Sequence, residues 1–139
     1  MSSKGRDWPD SNPSAPSAGF EPYRANTWEI ATEAVLNSAG TERLVMRDWR
    51  DESNGALSDF IAAQETYDSI QGEWREVARI DVRHGDAHIH RYNSHRGEPD
   101  KPRPLYPCTS REDLEEANKM AESYLRDHWE ENLRRWRVQ

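Results

Sequence analysis

The stretch WREVARIDVRHGDAHIHRY, residues 74–92, predicts the centre of the fold. It contains two segments of extended character that flank His84-Gly85, which would form a two-residue hairpin turn. In that register Ile80 lies opposite Ile89, and the face that carries them should pack inward. A turn at Gly85-Asp86 would shift the pairing, and a slip of one residue in either strand would exchange its faces. The match of the two isoleucines favours the first register.

A long helix is predicted after the hairpin, over about residues 110–135. Thr109 and Glu112 have the spacing of a capping box, which is typical of a helix start. Apolar residues then recur at steps of three and four, and this stripe should pack on the apolar face of the hairpin. The stripe contains Leu114, Ala117, Ala121, Tyr124, Leu125, His128 and Trp129.

Upstream of the hairpin the signals are mixed. NTWEIATEAVLNSAG, residues 26–40, predicts a short helix capped by Asn26, although its apolar residues also fit a strand. ERLVMRDWR, residues 42–50, alternates as a strand, whereas ALSDFIAAQETY, residues 56–67, fits either element. The fold class we expect is therefore α+β. It is a small antiparallel sheet of three to four strands, with a central hairpin at about 75–92, packed by the long C-terminal helix (about 110–135) and a short N-terminal helix.

The length and composition indicate one domain. The chain has 139 residues, 34% of them hydrophobic, and residues 26–139 are expected to form a single α+β domain. Residues 1–25 are rich in Ser, Pro and Gly and predict a disordered or surface-hugging arm. No long apolar run and no signal peptide is present, so we expect a cytoplasmic protein that does not enter a membrane. With one cysteine, Cys108, no disulfide can form within the chain.

The net charge of −7 is unusual for a nucleic-acid-binding protein, which normally carries a basic surface. Residues 74–106 are a local exception, because they carry seven Lys or Arg residues against five Asp or Glu residues. The hairpin therefore lies in the most basic part of an acidic chain.

Four of the five histidines fall between residues 84 and 95, and this cluster suggests metal-free RNA cleavage. His88 and His90 project from the same face of a strand and could act as acid and base, because imidazole titrates near neutrality. Asp81, opposite His88, could fix its tautomer. Arg79 would bind phosphate and Tyr92 would donate a hydrogen bond or stack on a base.

Three further residues are candidates for substrate binding. The predicted register puts Arg91 on the other face of the hairpin, which weakens it relative to Arg96. His95 and Arg96 begin a proline-rich loop, and long loops in compact domains are often functional.

The histidine cluster also fits a metal site or a purely structural surface. His88, His90 and Asp81 form a two-histidine, one-carboxylate set that could bind a divalent metal, but their spacing is generic. The same residues are also ordinary on the solvent-facing side of a two-stranded ribbon, where Asp–His pairs stabilise a sheet without chemistry. The enzyme hypothesis itself requires no cofactor.

The residues Arg79-Ile80-Asp81, followed by His84, Gly85, His88 and His90, resemble the R-x-D…H…H-x-H segment of TumE-type toxins of bacterial toxin–antitoxin systems. The resemblance covers residues 77–135, including the long helix, and the chain departs from the family in its N-terminal arm and proline-rich loop. It implies a small cytoplasmic ribonuclease-like toxin that acts on RNA and has a cognate antitoxin.

The alternative is a non-enzymatic interaction protein, such as a phage or mobile-element accessory factor. Such a protein would bind its partners through the arm at residues 1–25 and through its acidic surface, since an acidic surface attracts basic partners. The sequence leaves the oligomeric state undetermined.

Overall fold

The structure, a computed structural model, describes residues 20–95, 97–98 and 101–138. Within these residues the chain forms six strands and one helix. The sheet has the order β1-β2-β3-β4-β5-β6, and every neighbouring pair is antiparallel, so the strands form a meander. The elements are β1 Thr27–Val35, β2 Glu42–Asp51, β3 Leu57–Asp68, β4 Glu73–Arg83, β5 Asp86–Arg91, β6 Arg103–Pro107 and α1 Arg111–Val138.

The hairpin and its register are confirmed. β4 and β5 pair with Ile80 opposite Ile89 and with Asp81 opposite His88. The turn residues His84 and Gly85 have φ values of 58° and 86°. A two-residue type I′ turn requires a positive φ at both of these positions. Histidine is among the non-glycine residues that adopt this left-handed conformation more often than most.

The prediction of a short N-terminal helix is wrong. Residues 27–35 form strand β1, which pairs with β2 from Thr27–Asp51 to Val35–Arg43. Asn26, expected to cap a helix, has a φ of 58°, whereas an N-cap residue has an extended backbone. The alternation of this segment fits a strand as well as its helical spacing fits a helix, and pairing with β2 decides between them.

The predicted strand number is also wrong, since the described residues contain six strands rather than three or four. The ambiguous segment at 56–67 became β3, the central strand that pairs with β2 and β4. The proline-rich segment supplied β6, which contains Pro104 and Pro107. Proline is tolerated there because β6 lies at an edge of the sheet and needs hydrogen bonds on one side alone.

The core lies between the sheet and one side of α1. Leu114, Ala117, Ala121 and Leu125 of the predicted stripe are buried. They share a cluster with Ile80 and Ile89, so the prediction that the helix packs on the apolar face of the hairpin is confirmed. Tyr124 and Trp129, which the stripe also included, are only partly buried. Arg50 and Arg91 reach Glu115 and Tyr124 of α1, which confirms that the helix covers this face of β2 and β5.

A buried amide joins the helix to the central strand. Gln64 of β3 is fully buried, and its Nε2 donates a hydrogen bond to the carbonyl of Trp129 at 2.9 Å. Its Oε1 accepts a hydrogen bond from Nδ2 of Asn132 at 3.1 Å. A buried amide without partners would be costly, so these two bonds hold the helix in a defined position along the strand.

The helix starts one residue later than its capping box predicts. The Oγ of Ser110 accepts a hydrogen bond from the backbone N–H of Asp113, and the carboxylate of Asp113 accepts one from the N–H of Thr109. Ser110 is therefore the N-cap residue, and the reciprocal bonding involves Asp113 in place of Glu112.

Of the N-terminal arm, residues 1–19 lie outside the described residues. The remainder lies against the domain, because Phe20 N–H bonds to the carbonyl of Thr109 at 2.9 Å and Tyr23 N–H bonds to that of Ser58 at 3.1 Å. The division of the chain at residue 25 stays a prediction.

The core position of Phe60 leads to the first prediction. Phe60 is fully buried between the sheet and α1, so Phe60→Ala should lower the free energy of unfolding by about 3–5 kcal/mol. The control is Ile70→Ala, because Ile70 is 94% exposed in a turn and should change stability by no more than about 0.5 kcal/mol. Urea denaturation measures both, and equal stability of the two variants would contradict this description of the core.

Candidate functional site on the open face of the sheet

The candidate site lies on the face of the sheet that α1 does not cover, which we call the open face. In a strand successive side chains point to opposite faces, so Arg79, Asp81, His88 and His90 point away from Ile80 and Ile89. The rings of His88 and His90 are 6.4 Å apart between centroids. The predicted grouping of two histidines, an aspartate and an arginine on one surface is therefore present, and we call these four residues the charged strip.

Asp81 contacts a different histidine from the one expected. His88 lies directly opposite Asp81, yet Oδ1 of Asp81 lies 3.0 Å from Nε2 of His90, its diagonal neighbour. Diagonal pairs in a sheet lie within reach of long side chains, so the backbone register did not determine this contact. The prediction that Asp81 orients His88 is wrong in this respect.

His90 lies between two carboxylates. Besides the contact with Asp81, its Nδ1 lies 2.9 Å from Oε2 of Glu98. A neutral imidazole carries one N–H and can donate to only one of these acceptors, whereas the imidazolium form donates to both. The two contacts therefore fix the orientation of the His90 ring.

His88 pairs with Asp86, two residues earlier on the same strand. Nε2 of His88 lies 2.9 Å from Oδ1 of Asp86, a residue that is 5% exposed. This carboxylate raises the pKa of His88, and partial burial of the ring opposes the effect. The two groups lie within ion-pair distance when the ring is protonated. Nδ1 of His88 is buried and has no hydrogen-bond partner among the described residues.

Arg79 lies among acids and contacts Tyr92. Its Nη2 donates a hydrogen bond to the hydroxyl of Tyr92 at 3.1 Å, and its Nε lies 3.7 Å from Glu76 and 3.8 Å from Asp81. Burial raises the pKa of the Glu76 carboxyl, and Arg79 opposes that shift. The predicted proximity of Arg79 and Tyr92 is present, but the guanidinium already has anionic neighbours within the chain.

Of the three predicted substrate-binding residues, the two that the structure describes, Arg91 and His95, do not join the strip. Arg91 points to the helix side, where its Nη2 donates a hydrogen bond to the hydroxyl of Tyr124 at 3.2 Å. His95 is exposed in the turn after β5, and its backbone N–H bonds to Oδ1 of Asn93. Arg96 lies outside the described residues.

Sequence reasoning missed Asp86 and Glu98. The position of Asp86 contained a usable signal, because residues two apart on a strand share a face. Glu98 had none, since it follows β5 in an irregular segment and reaches His90 through the tertiary arrangement of that segment.

An open groove of about 500 Å³ lies beside the strip. Arg24 in its wall forms an ion pair with Asp59 at 2.7 Å, and Arg83 and His84 line the hairpin end. Burial raises the pKa of the Asp59 carboxyl, while Arg24 lowers it. The groove reaches Asp81, so a bound molecule there would lie next to the Asp81–His90 pair.

The described residues do not form a metal site, and the one cysteine is buried. No group of three or more His, Cys, Asp or Glu residues suited to hold a metal ion occurs among the described residues. Of the set predicted to bind a metal, Asp81 and His90 are in contact, whereas His88 contacts Asp86 instead. Cys108 is buried, and burial raises the pKa of its thiol to about 12, so it is a poor nucleophile near neutral pH.

In the described part of the chain, no helix combines the length and the apolar character needed to cross a membrane.

The fold and site define a small α+β domain in which one helix covers a six-stranded antiparallel meander and leaves a charged face open. A family model described as a domain of unknown function, DUF7718, matches residues 32–139. The chain therefore belongs to the DUF7718 family. No curated protein and no solved structure matches it. The resemblance to TumE-type toxins stays a prediction.

The Asp86–His88 pair leads to a prediction about pH. The pKa of His88 is higher in the folded than in the unfolded state. Protonated His88 therefore stabilises the fold fully at pH values below its unfolded-state pKa of about 6.5. This contribution disappears as the pH rises through the folded-state pKa. The stability difference between the wild-type protein and His88→Gln should therefore shrink from pH 6 towards pH 8. Urea denaturation at several pH values measures it.

The cause of the shift can be tested separately. In NMR titrations, Asp86→Asn should lower the pKa of His88, since Asp86 is the main group that raises it. Glu98→Gln is the matched control, because Glu98 contacts His90 instead. An unchanged His88 titration in Asp86→Asn would contradict the proposed pair.

Proposed function

We propose that the protein is a metal-independent ribonuclease whose acid and base are His88 and His90. The observation that carries this proposal is the pair of carboxylate–imidazole contacts, Asp86–His88 and Asp81–His90, side by side and partly buried on the open face of the sheet. A carboxylate that orients an imidazole and stabilises its protonated form is a recurring arrangement in acid–base catalysis. The resemblance to TumE-type toxins supports the same reaction class.

The proposed step is attack of an RNA 2′-hydroxyl on the adjacent phosphorus. His90 takes the 2′ proton at Nδ1, and the bond from phosphorus to the 5′-oxygen breaks. His88 donates a proton to that leaving oxygen, which yields a 2′,3′-cyclic phosphate and a 5′-hydroxyl. We assign His88 as the acid because the Asp86 carboxylate raises its pKa and so favours its protonated form.

Arg79 is the proposed cation for the phosphorane, whose developing charge a guanidinium can stabilise. Its Nη2 already bonds to Tyr92, so the two residues would act together, with Tyr92 as the partner that steadies the guanidinium. The adjacent groove supplies space for a nucleotide, and Arg24 and Arg83 in its wall are suited to contact flanking phosphates.

The described arrangement corresponds to a closed state in this proposal. Glu98 covers Nδ1 of His90, and Nδ1 of His88 is buried. The RNA 2′-hydroxyl would replace the Glu98 carboxylate at Nδ1 of His90, while Nε2 keeps its contact with Asp81. The proposal thus requires that the Glu98 carboxylate leaves His90 when substrate binds.

The second candidate is a non-enzymatic interaction protein. It is favoured by the internal pairing of the strip, because His90 and Arg79 each contact two carboxylates of their own chain and the net charge is −7. Such a surface repels phosphate and suits a basic protein partner. In this candidate the partner binds through residues 1–25 and the acidic surface, whereas a cognate antitoxin belongs to the ribonuclease proposal. Both candidates include a cytoplasmic location.

RNA cleavage by purified protein distinguishes the two candidates. The double variant His88→Ala/His90→Ala should lose cleavage by about 100-fold or more, since each acid–base group contributes at least that factor. His128→Ala is the control, because His128 lies on α1 and bonds to the carbonyl of Tyr124. Full activity of the double variant, or no RNA cleavage by the wild-type protein at any substrate tested, would favour the interaction protein.

A further variant tests the role of Glu98. If Glu98 competes with the RNA 2′-hydroxyl for Nδ1 of His90, Glu98→Gln should increase the rate of RNA cleavage several-fold and lower KM. Glu116→Gln, on the exposed side of α1, removes the same charge elsewhere and should leave the rate unchanged. A lower rate in Glu98→Gln would show that Glu98 supports the reaction instead.

A further inference from the structure

The two edges of the sheet differ. β6 at one edge has five residues and contains Pro104 and Pro107, which limit pairing with another strand. β1 at the other edge has nine residues without proline or lysine, and its register with β2 runs without a shift. Long regular edges of this kind are the ones on which other strands add, and proteins usually block them.

The outward backbone groups of β1 can be assigned. Leu36 N–H bonds to the carbonyl of Glu42, and Glu52 N–H bonds to that of Asn26, so even-numbered residues of this segment bond to β2. In an antiparallel ladder the alternate residues point their N–H and C=O groups the other way. The odd-numbered residues of β1 therefore direct theirs to the open edge, and no described strand pairs with them.

The side chains of β1 leave apolar surface at this edge. Trp28 and Ile30 lie on the helix side of the sheet, yet they are 43% and 42% exposed, because α1 packs mainly on β3. On the other face, Glu29 and Glu33 are paired with Arg47 and Arg43 at 2.7 and 3.4 Å. As far as the described residues show, the edge thus combines backbone groups that no strand pairs, an apolar pair and compensated charges.

We propose that β1 pairs antiparallel with β1 of a second copy of this chain, with Ile30 opposite Ile30 about a two-fold axis. The charges distinguish the registers. A pairing centred on Ala31 would place Glu29 of each copy opposite Glu33 of the other copy. Like charges directly opposite each other destabilise a sheet. Centring on Ile30 sets Glu29 opposite Ala31 and gathers Trp28 and Ile30 of both copies into one apolar cluster. Centring on Thr32 also separates the acids but disperses these apolar residues.

This dimer would continue the sheet from six to twelve strands. The charged strip lies on β4 and β5, at the far side of each sheet from β1, so the pairing leaves it accessible. The inference therefore does not depend on the proposed function. The family match begins at residue 32, so Trp28 and Ile30 lie outside it, and the dimer is proposed for this chain rather than for the family.

Sedimentation velocity of the full chain over a range of concentrations tests the proposal. The wild-type protein should shift from monomer towards dimer as concentration rises. Ile30→Lys sets two lysines opposite each other across the axis and should remain monomeric. Val35→Lys is the matched control, because Val35 is 64% exposed on the same strand but lies beyond the paired segment in this register, so its dimer should persist.

Ala31→Pro provides a second test. It removes an outward N–H without touching the bonds to β2, and edge strands tolerate proline at such positions. This variant should also be monomeric, with an unchanged circular dichroism spectrum. A wild-type protein that is monomeric at every concentration overturns the proposal and favours another occupant of the edge. A dimer that persists in both Ile30→Lys and Ala31→Pro overturns it too, since its interface must then lie elsewhere.

Discussion

The antiparallel pairing of β4 and β5 across the His84-Gly85 turn is the constraint on which the rest of the structure depends. Because side chains alternate along a strand, this one register turns Ile80 and Ile89 towards the helix and Arg79, Asp81, His88 and His90 towards solvent. A shift by one residue in either strand would bury charged groups and expose the isoleucines. The core and the candidate site are thus two results of the same pairing.

The helix makes the two faces of the sheet unequal. It covers the centre of the sheet and is positioned there by the hydrogen bonds of the buried Gln64. It leaves the opposite face without a second layer among the described residues, and it leaves the helix side of β1 half exposed. One helix is too narrow to cover six strands, so Trp28 and Ile30 on the helix side of β1 stay partly exposed.

The charged strip combines features that favour chemistry with features that favour stability. Two imidazoles held by carboxylates and an arginine beside a tyrosine hydroxyl are groups that can move protons and bind phosphate. The same groups neutralise one another, and Glu98 covers the nitrogen that a substrate would need. Whether the charged strip acts as a ribonuclease site or as an interaction surface therefore depends on whether Glu98 can leave His90.

The sequence by itself determined the hairpin, its register and the long helix, because these rest on local signals: a two-residue turn, matched isoleucines and a helical stripe with a cap. It did not determine β1, since the pattern of residues 27–35 fits helix and strand equally and the edge of β2 decides between them. Nor did it determine the partners of the histidines. The choice of His90 by Asp81, and the contact of Glu98 with the same ring, depend on side-chain conformations and on a distant segment, which only the tertiary structure brings together.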